Sequence, residues 1–401
     1  MDNKTIGIIT EYNPFHNGHA LQIRKIRNLF PNCNIVVVMS GFFLQRGQIA
    51  LFDKWHRAEL AISNGVNLVL ELPFNFACRS AETFAFGGVF LLTALKKVDY
   101  LAFGAETKNL DDLKTAASLF NSSNFRENLK QLMKKGLSYP QAVDNIMSQY
   151  LPIDTVRQAN NILAIEYLKA LKNLNSNIKP LLIPREVSQY REISIHSSIA
   201  SATAIREELK GNGLTPLLAS TMPKNSFEML KQLSTNKQLI YAENIFSNLL
   251  IYKLRTTSLE YIRQHSDVSE GLEYSICKYS EIYNDYPSLL AALTNKRYPQ
   301  SRINRLLTQI LIGLEKTANP TYIRPLAFDK TGATFLNQIK NNALLPIITK
   351  LGKNFNNIPA ELAKCPNLKT DIAATNIYQL LYPENNGIHN LDFLTTPKYI
   401  K

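Results

Sequence analysis

Five short and almost wholly apolar runs, Thr5 to Thr10, Asn34 to Ser40, Asn67 to Leu72, Tyr100 to Gly104 and Ile178 to Pro184, are each separated by a segment long enough for a helix. Helical spacing begins near Gly18, Lys54, Ala81 and Asn160. Strands apolar on both faces cannot border water, and strands joined through helices run parallel with right-handed crossovers. The pattern therefore predicts an α/β fold, a Rossmann-like doubly wound parallel sheet with helices on both sides. In such sheets ligands sit beyond the carboxyl ends of the strands, so the residues just after each strand are the ones to search.

Beyond Lys210-Gly-Asn-Gly-Leu-Thr-Pro216 the strand alternation fades and helical spacing dominates. We place a boundary there: residues 1–215 as the Rossmann-like domain and 216–401 as a mainly helical, basic second domain. Lysine plus arginine number 45 against 32 acids, a formal charge of +13 spread over both halves. Such an excess attracts polyanions, although a solvated lysine-rich surface produces the same count. Cys33, Cys78, Cys277 and Cys365 are far apart and form neither a zinc-type pair nor a disulfide framework. With no long uncharged apolar run and no leader-like start, the expectation is a cytoplasmic protein without a membrane segment.

The first strand runs directly into Glu11-Tyr12-Asn13-Pro14-Phe15-His16-Asn17-Gly18-His19, and a helical pattern follows from Ala20 to Leu29. A helix N-terminus presents free N–H groups and a partial positive charge, which suits phosphate oxygens. Gly18 permits close backbone approach. The flanking imidazoles, His16 and His19, can donate hydrogen bonds to charge developing at a phosphorus under attack. Asn17-Gly18 as a hairpin turn would need strand alternation after it, yet Arg24, Lys25 and Arg27 follow at helical spacing. The arrangement fits phosphoryl or nucleotidyl transfer.

Ser198 to Arg206 offers hydroxyls and a guanidinium at a helix start, suited to the outer phosphates of a nucleotide. Simple N-capping by Ser201 or Thr203 beside a solvated Arg206 is the plainer alternative. Gly104, the pair Asn160-Asn161 and Arg185 each follow a predicted strand, where ligand or mere turn and cap chemistry is equally served. The stretch Ser40 to Gln48 has no clear period and reads as a loop able to close over the site. Lys296, Arg297, Tyr298, Arg302 and Arg305 form the densest basic and aromatic cluster, with Arg302 and Arg305 on one helical face, fit for an RNA backbone or for solvent. No G-x-x-x-x-G-K-[ST], no G-x-G-x-x-G after the first strand, no H-x-E with C-x-x-C and no G-x-S-x-G occurs. P-loop, zinc deaminase and serine hydrolase chemistries are thereby disfavoured.

The wording Tyr12-Asn13-Pro14-Phe15-His16-Asn17-Gly18-His19 resembles the bacterial tRNA(Met) cytidine acetate ligase family of the H-x-G-H nucleotidyltransferase superfamily. Gln45-Arg46-Gly47, Asp53 to Glu59, Phe103 to Glu106, Asn160 to Leu163, Ser201 to Arg206 and Lys296-Arg297-Tyr298 extend the resemblance along nearly the whole chain. It implies a two-step ligase. Acetate attacks the α-phosphorus of ATP to give acetyl-adenylate and pyrophosphate, and the wobble cytidine of elongator tRNA(Met) then takes the acetyl group. It further implies ATP binding by Gly7, Ile8, Ile9, Thr10, Glu11, Tyr12, Asn13, Pro14, Phe15, His16, Asn17, Gly18, His19 and Ala20, with Gly104, Asn160 or Asn161, Arg185 and Arg206. His16 and His19 stabilise the transition state in that reading, Lys296, Arg297, Arg302 and Arg305 face tRNA, and Mg2+ accompanies ATP without a protein carboxylate cage. No obligatory protein partner is implied. After Arg185, where the resemblance implies small residues and a Gly-rich loop, this chain has Glu186-Val187-Ser188-Gln189-Tyr190.

Two other readings use the same residues. A small-molecule adenylyltransferase shares the first motif but has no need of the long basic second half. A non-catalytic RNA-binding protein has no use for a paired-histidine phosphate site.

Overall fold

The computed structural model describes residues 3–185, 195, 198–241, 243–315, 317–352, 358–382 and 390–401. Seven strands form one sheet: β1 (Thr5–Thr10), β2 (Asn34–Ser40), β3 (Leu68–Leu72), β4 (Tyr100–Ala105), β5 (Lys179–Pro184), β6 (Pro325–Phe328) and β7 (Lys398–Tyr399). Their spatial order is β5-β4-β1-β2-β3-β6-β7. The first five are mutually parallel, with registers such as Thr5 against Asn34 and Tyr100 against Lys179. These are the five runs read from the sequence, each within a residue of its expected bounds. The chain progresses one way from β1 to β3 and the other way from β4 to β5, so the switch point lies beyond the carboxyl ends of β1 and β4.

Strand alternation explains the two-sided core. Ile35, Val37 and Met39 of β2 enter one apolar layer, while Val36 and Val38 enter the other. The first layer contains Ile23 and Ile26 of α1 (Asn17–Leu29), Trp55 and Leu60 of α2 (Lys54–Ser63), and residues far along the chain such as Leu250, Ile303 and Leu306. The second is covered by helices Ala81–Ala94 and Ala159–Asn173. Burial of one such side chain stabilises by about 1.5–3 kcal/mol, so both layers contribute.

The later half is mainly helical, and it also extends the sheet. β6 pairs antiparallel with β3, Leu68 against Phe328, and β7 runs parallel to β6. The sheet is therefore mixed at this edge, where the sequence pattern gave only parallel strands. A buried ion network fixes the join: Lys54 Nζ lies 2.6 Å from Glu71 and 2.9 Å from Asp392, and Arg324 lies 3.3 Å from Glu71 and 2.9 Å from Asp392.

Candidate active site

The loop after β1 and the start of α1 are built around two imidazoles. His16 is the N-cap residue of α1 and is nearly fully buried. Its Nδ1 accepts from Gly18 N at 3.1 Å, and Nδ1 of His19 accepts from His16 N at 3.3 Å. This is a capping box written with histidines, satisfying two orphan donors of the first turn. The rings stack with centroids 3.7 Å apart. Because both Nδ1 atoms accept, a neutral ring carries its proton on Nε2, leaving two N–H donors for a ligand. A Cβ on Gly18 would lie 2.9 Å from Cε1 of His16, so the ring holds its place only beside glycine.

Charge state follows from burial. Desolvation lowers His16 to about 3, with Arg185 and Arg206 adding repulsion. His19 falls well below the ordinary imidazole value through burial, His16 and Arg185. Both histidines are neutral in the folded protein at physiological pH. In the unfolded chain they protonate near pH 6.5, so the unfolded state binds more protons as pH falls and stability is lost progressively from there toward about pH 3. The kcat/KM for nucleotide is accordingly expected to show no histidine ionisation between about pH 5 and 8. An inflection near the free imidazole value would count against a neutral pair.

These residues line a cleft of ≈ 260 Å³ at the switch point. Ile9, Thr10, Glu11, Tyr12, Asn13, His16, Gly18 and His19 enter it from the first loop and helix, Gly104 from β4, Asn160 from the helix start, and Arg185 from the end of β5. Apolar Phe84, Phe103, Leu163 and Tyr167 suit a base, while Lys25, Arg185 and Arg206 suit phosphates and Arg46 stands exposed at the rim. Among the described lining residues the single carboxylate is Glu11. Arg206 Nη1 donates to Asn13 O at 2.7 Å, which sets the helix Ala202–Asn212 against the first loop, and Ser201 caps that helix by accepting from Ala204 N.

Gly7, Ile8, Pro14, Phe15, Asn17, Ala20 and Asn161 do not line the cleft. Asn17 instead donates from Nδ2 to Ser198 O (2.9 Å) and Ser220 O (2.8 Å). Of the asparagine pair, Asn161 is buried and accepts from Glu106 N and Thr107 N, whereas Asn160 faces the cleft and donates to Glu106. Glu186 to Tyr190 lie outside the described residues. Sequence reasoning missed Gln22 and Lys25, although Gly18, Gln22 and Lys25 at i, i+4 and i+7 mark one helical face.

The reading of Ser40 to Gln48 as a closing loop is corrected. Phe42, Phe43 and Leu44 are buried, Phe43 bridges antiparallel to Ile49, and Leu44 N donates to Gln48 O at 2.8 Å. The segment is a tight hairpin that walls the cleft. Helix Gln300–Ile312 holds its tip: Asn304 Nδ2 donates to Arg46 O and Thr308 Oγ1 to Gly47 O, both at 2.9 Å. Gly47 has φ +76°, and a Cβ there would meet the backbone of Asn304 and Arg305 at 2.6 Å. Gly47→Ala should therefore cost about 1–3 kcal/mol, seen as a lower urea midpoint. Arg57, fully buried, ties this hairpin to the first loop by donating to Glu11 O at 2.7 Å, to Phe52 O at 3.2 Å and to Gly41 O.

The later basic cluster divides. Arg302 donates to Asp267 O (2.9 and 3.2 Å) and Ser269 Oγ (3.1 Å), and Arg305 Nε lies 3.9 Å from the Asp267 carboxylate. Both turn toward the 267–270 loop. Lys296 and Arg297 are exposed, with Arg297 paired to Glu270.

A model of the family described as HIGH nucleotidyl transferase matches residues 3–391. The chain belongs to the HIGH nucleotidyl transferase family. Relatives within reach of this HIGH nucleotidyl transferase include the tRNA(Met) cytidine acetate ligase of Halothermothrix orenii, 36% identical over 94% of this chain and 95% of that one. That of Clostridium novyi is 37% identical over 98% and 99%. Among solved structures, apo Thermotoga maritima TmcAL superposes with a TM-score of 0.91 at 30% identity, covering 99% of both chains. The same protein bound with alpha-thio ATP gives 0.89 at 29% identity, again over 99% of each. The described residues of this chain include no helix long and apolar enough to cross a membrane.

Proposed function

We propose that this chain is an ATP-dependent ligase that activates acetate as acetyl-adenylate, releasing pyrophosphate, and acetylates the wobble cytidine of elongator tRNA(Met). The observation that carries the reading is the stacked pair His16 and His19 at a helix N-terminus on the switch point, each with Nδ1 occupied and Nε2 left to donate. The curated relatives named for this activity cover nearly the whole chain, and a structural neighbour binds an ATP analogue.

In the first step an acetate oxygen attacks the α-phosphorus and the bond to the β-phosphate oxygen breaks. Negative charge grows on the α-phosphoryl oxygens, where the Nε2–H groups of His16 and His19 and the N-terminus of α1 stabilise it. Arg185 and Arg206 take the departing pyrophosphate, and Gly104 and Asn160 border the nucleoside. In the second step the cytidine amine attacks the acyl carbon, AMP leaves, and the amine loses a proton. Uncharged histidines suit the first step because they donate without adding a cation that would hold pyrophosphate too firmly.

Magnesium accompanies ATP, but among the described residues no group of three or more His, Cys, Asp or Glu is placed to hold a metal. Glu11, the carboxylate at the cleft, already accepts from Gln45 N at 2.7 Å. In this reading any such ion is chelated by the phosphates. Residues 1–215 would carry the nucleotide chemistry and 216–401 would add a basic RNA-facing surface, with Lys296 and Arg297 outward, in a cytoplasmic protein. The test is acetate-dependent exchange of labelled pyrophosphate into ATP, followed by nucleoside analysis of elongator tRNA(Met). Exchange plus acetylcytidine supports the ligase. Exchange only with a phosphorylated cofactor precursor would replace it with a small-molecule adenylyltransferase.

A further inference from the structure

An acyl-adenylate held beside His16 and His19 has to be met by a nucleotide that enters from outside, so the open side of the cleft decides how RNA approaches. Of the described lining residues, only Arg46, Gln48, Arg185 and Thr203 are exposed, and they mark the mouth. Arg46 stands on the side nearest the helical half. Its backbone carbonyl is held by Asn304, one turn into the helix Gln300–Ile312 that follows directly on the exposed Lys296 and Arg297. On that helix Arg302 and Arg305 turn toward the 267–270 loop.

We infer that Arg46 is an RNA-backbone contact at the mouth of the cleft, placed to guide the target nucleotide of a tRNA from the helical half onto the acyl-adenylate. Three observations meet here. The tip is rigid: Gly47 lies at φ +76° against the helix backbone, and Thr308 holds its carbonyl, so little ordering remains to be done on binding. A guanidinium fork matches phosphate oxygens bidentately. Among the described lining residues the mouth carries two guanidinium groups, Arg46 and Arg185, and the sole carboxylate, Glu11, accepts from Gln45 N behind the tip.

This inference rests on the proposed ligase reading, and equilibrium binding separates the two. Binding of labelled elongator tRNA(Met) would be measured by anisotropy across a salt series for the wild type, Arg46→Ala and Arg46→Lys, alongside acetylation. Arg46→Ala is expected to raise Kd about tenfold and to lower the slope of log Kd against log salt by about one, as for loss of one phosphate contact. Arg46→Lys should keep most of the salt slope while losing the bidentate geometry. A Kd and slope equal to wild type would overturn the inference, as would a loss that falls on KM for ATP instead. Wild-type protein that binds tRNA but never acetylates it would sink the ligase reading, while the binding series would still decide Arg46.

Discussion

Replacing His16 by alanine is expected to lower acetate-dependent pyrophosphate exchange by about 10²–10³-fold, the usual cost of removing one preorganised donor to transition-state charge. The ring has two jobs, however. Its Nδ1 caps α1 by accepting from Gly18 N, and losing a cap costs about 0.5–2 kcal/mol of stability. His16→Asn separates them, because asparagine caps helices well but ends short of the position an Nε2–H would occupy. The expected result is a melting temperature returned toward wild type with exchange still depressed. Should exchange return together with the melting temperature, the imidazole is a cap and the transfer mechanism is wrong. His19→Ala should cost a similar factor. The double variant should fall well short of the product of the two, since rings stacked 3.7 Å apart act on the same oxygens.

The sheet was legible because burial on two faces leaves a long apolar signature. Thr5 to Thr10 and Asn34 to Ser40 are strands at their read bounds, and the others shift by a residue at an end. β6 and β7 were not legible: four and two residues are too few to show a period, and β7, at the edge of the sheet, needs no apolar run. The motif from Tyr12 to His19 could be read since its chemistry is local, residues of one loop serving one helix end. What could not be read was long-range accommodation. Nothing near Arg46 announces that Asn304 will hold its carbonyl, and nothing near Arg302 announces Asp267, because such partners are chosen by packing across more than 30 positions of chain. The hairpin's true character was visible in part, as Phe42, Phe43 and Leu44 are too apolar for a mobile lid.

Lys54→Met is expected to destabilise the protein by about 3–5 kcal/mol, the typical cost of leaving a buried charge uncompensated. Lys54 is fully buried between Glu71 and Asp392, and its ammonium also lies 5.0 Å from the Phe42 ring centroid and 4.9 Å from that of Trp55. Two cations, Lys54 and Arg324, balance Glu71 and Asp392 there; burial and then Glu71 push the neighbouring Asp371 up to about 8, while Arg324 and Lys54 hold Asp392 below its ordinary pKa in spite of burial. Methionine fills similar volume but leaves one negative charge in excess. Adding Glu71→Gln restores neutrality around the Arg324–Asp392 pair, so the double variant should recover part of the loss in a urea titration. A double variant no more stable than Lys54→Met would place the cost in packing rather than charge. The loss should also reach the cleft, because Lys54 packs on Phe42 at the root of the hairpin whose tip carries Arg46, and Asp392 ties the end of the chain to β3 through the same ammonium. Charge balance beneath the sheet edge thus supports the wall of the cleft.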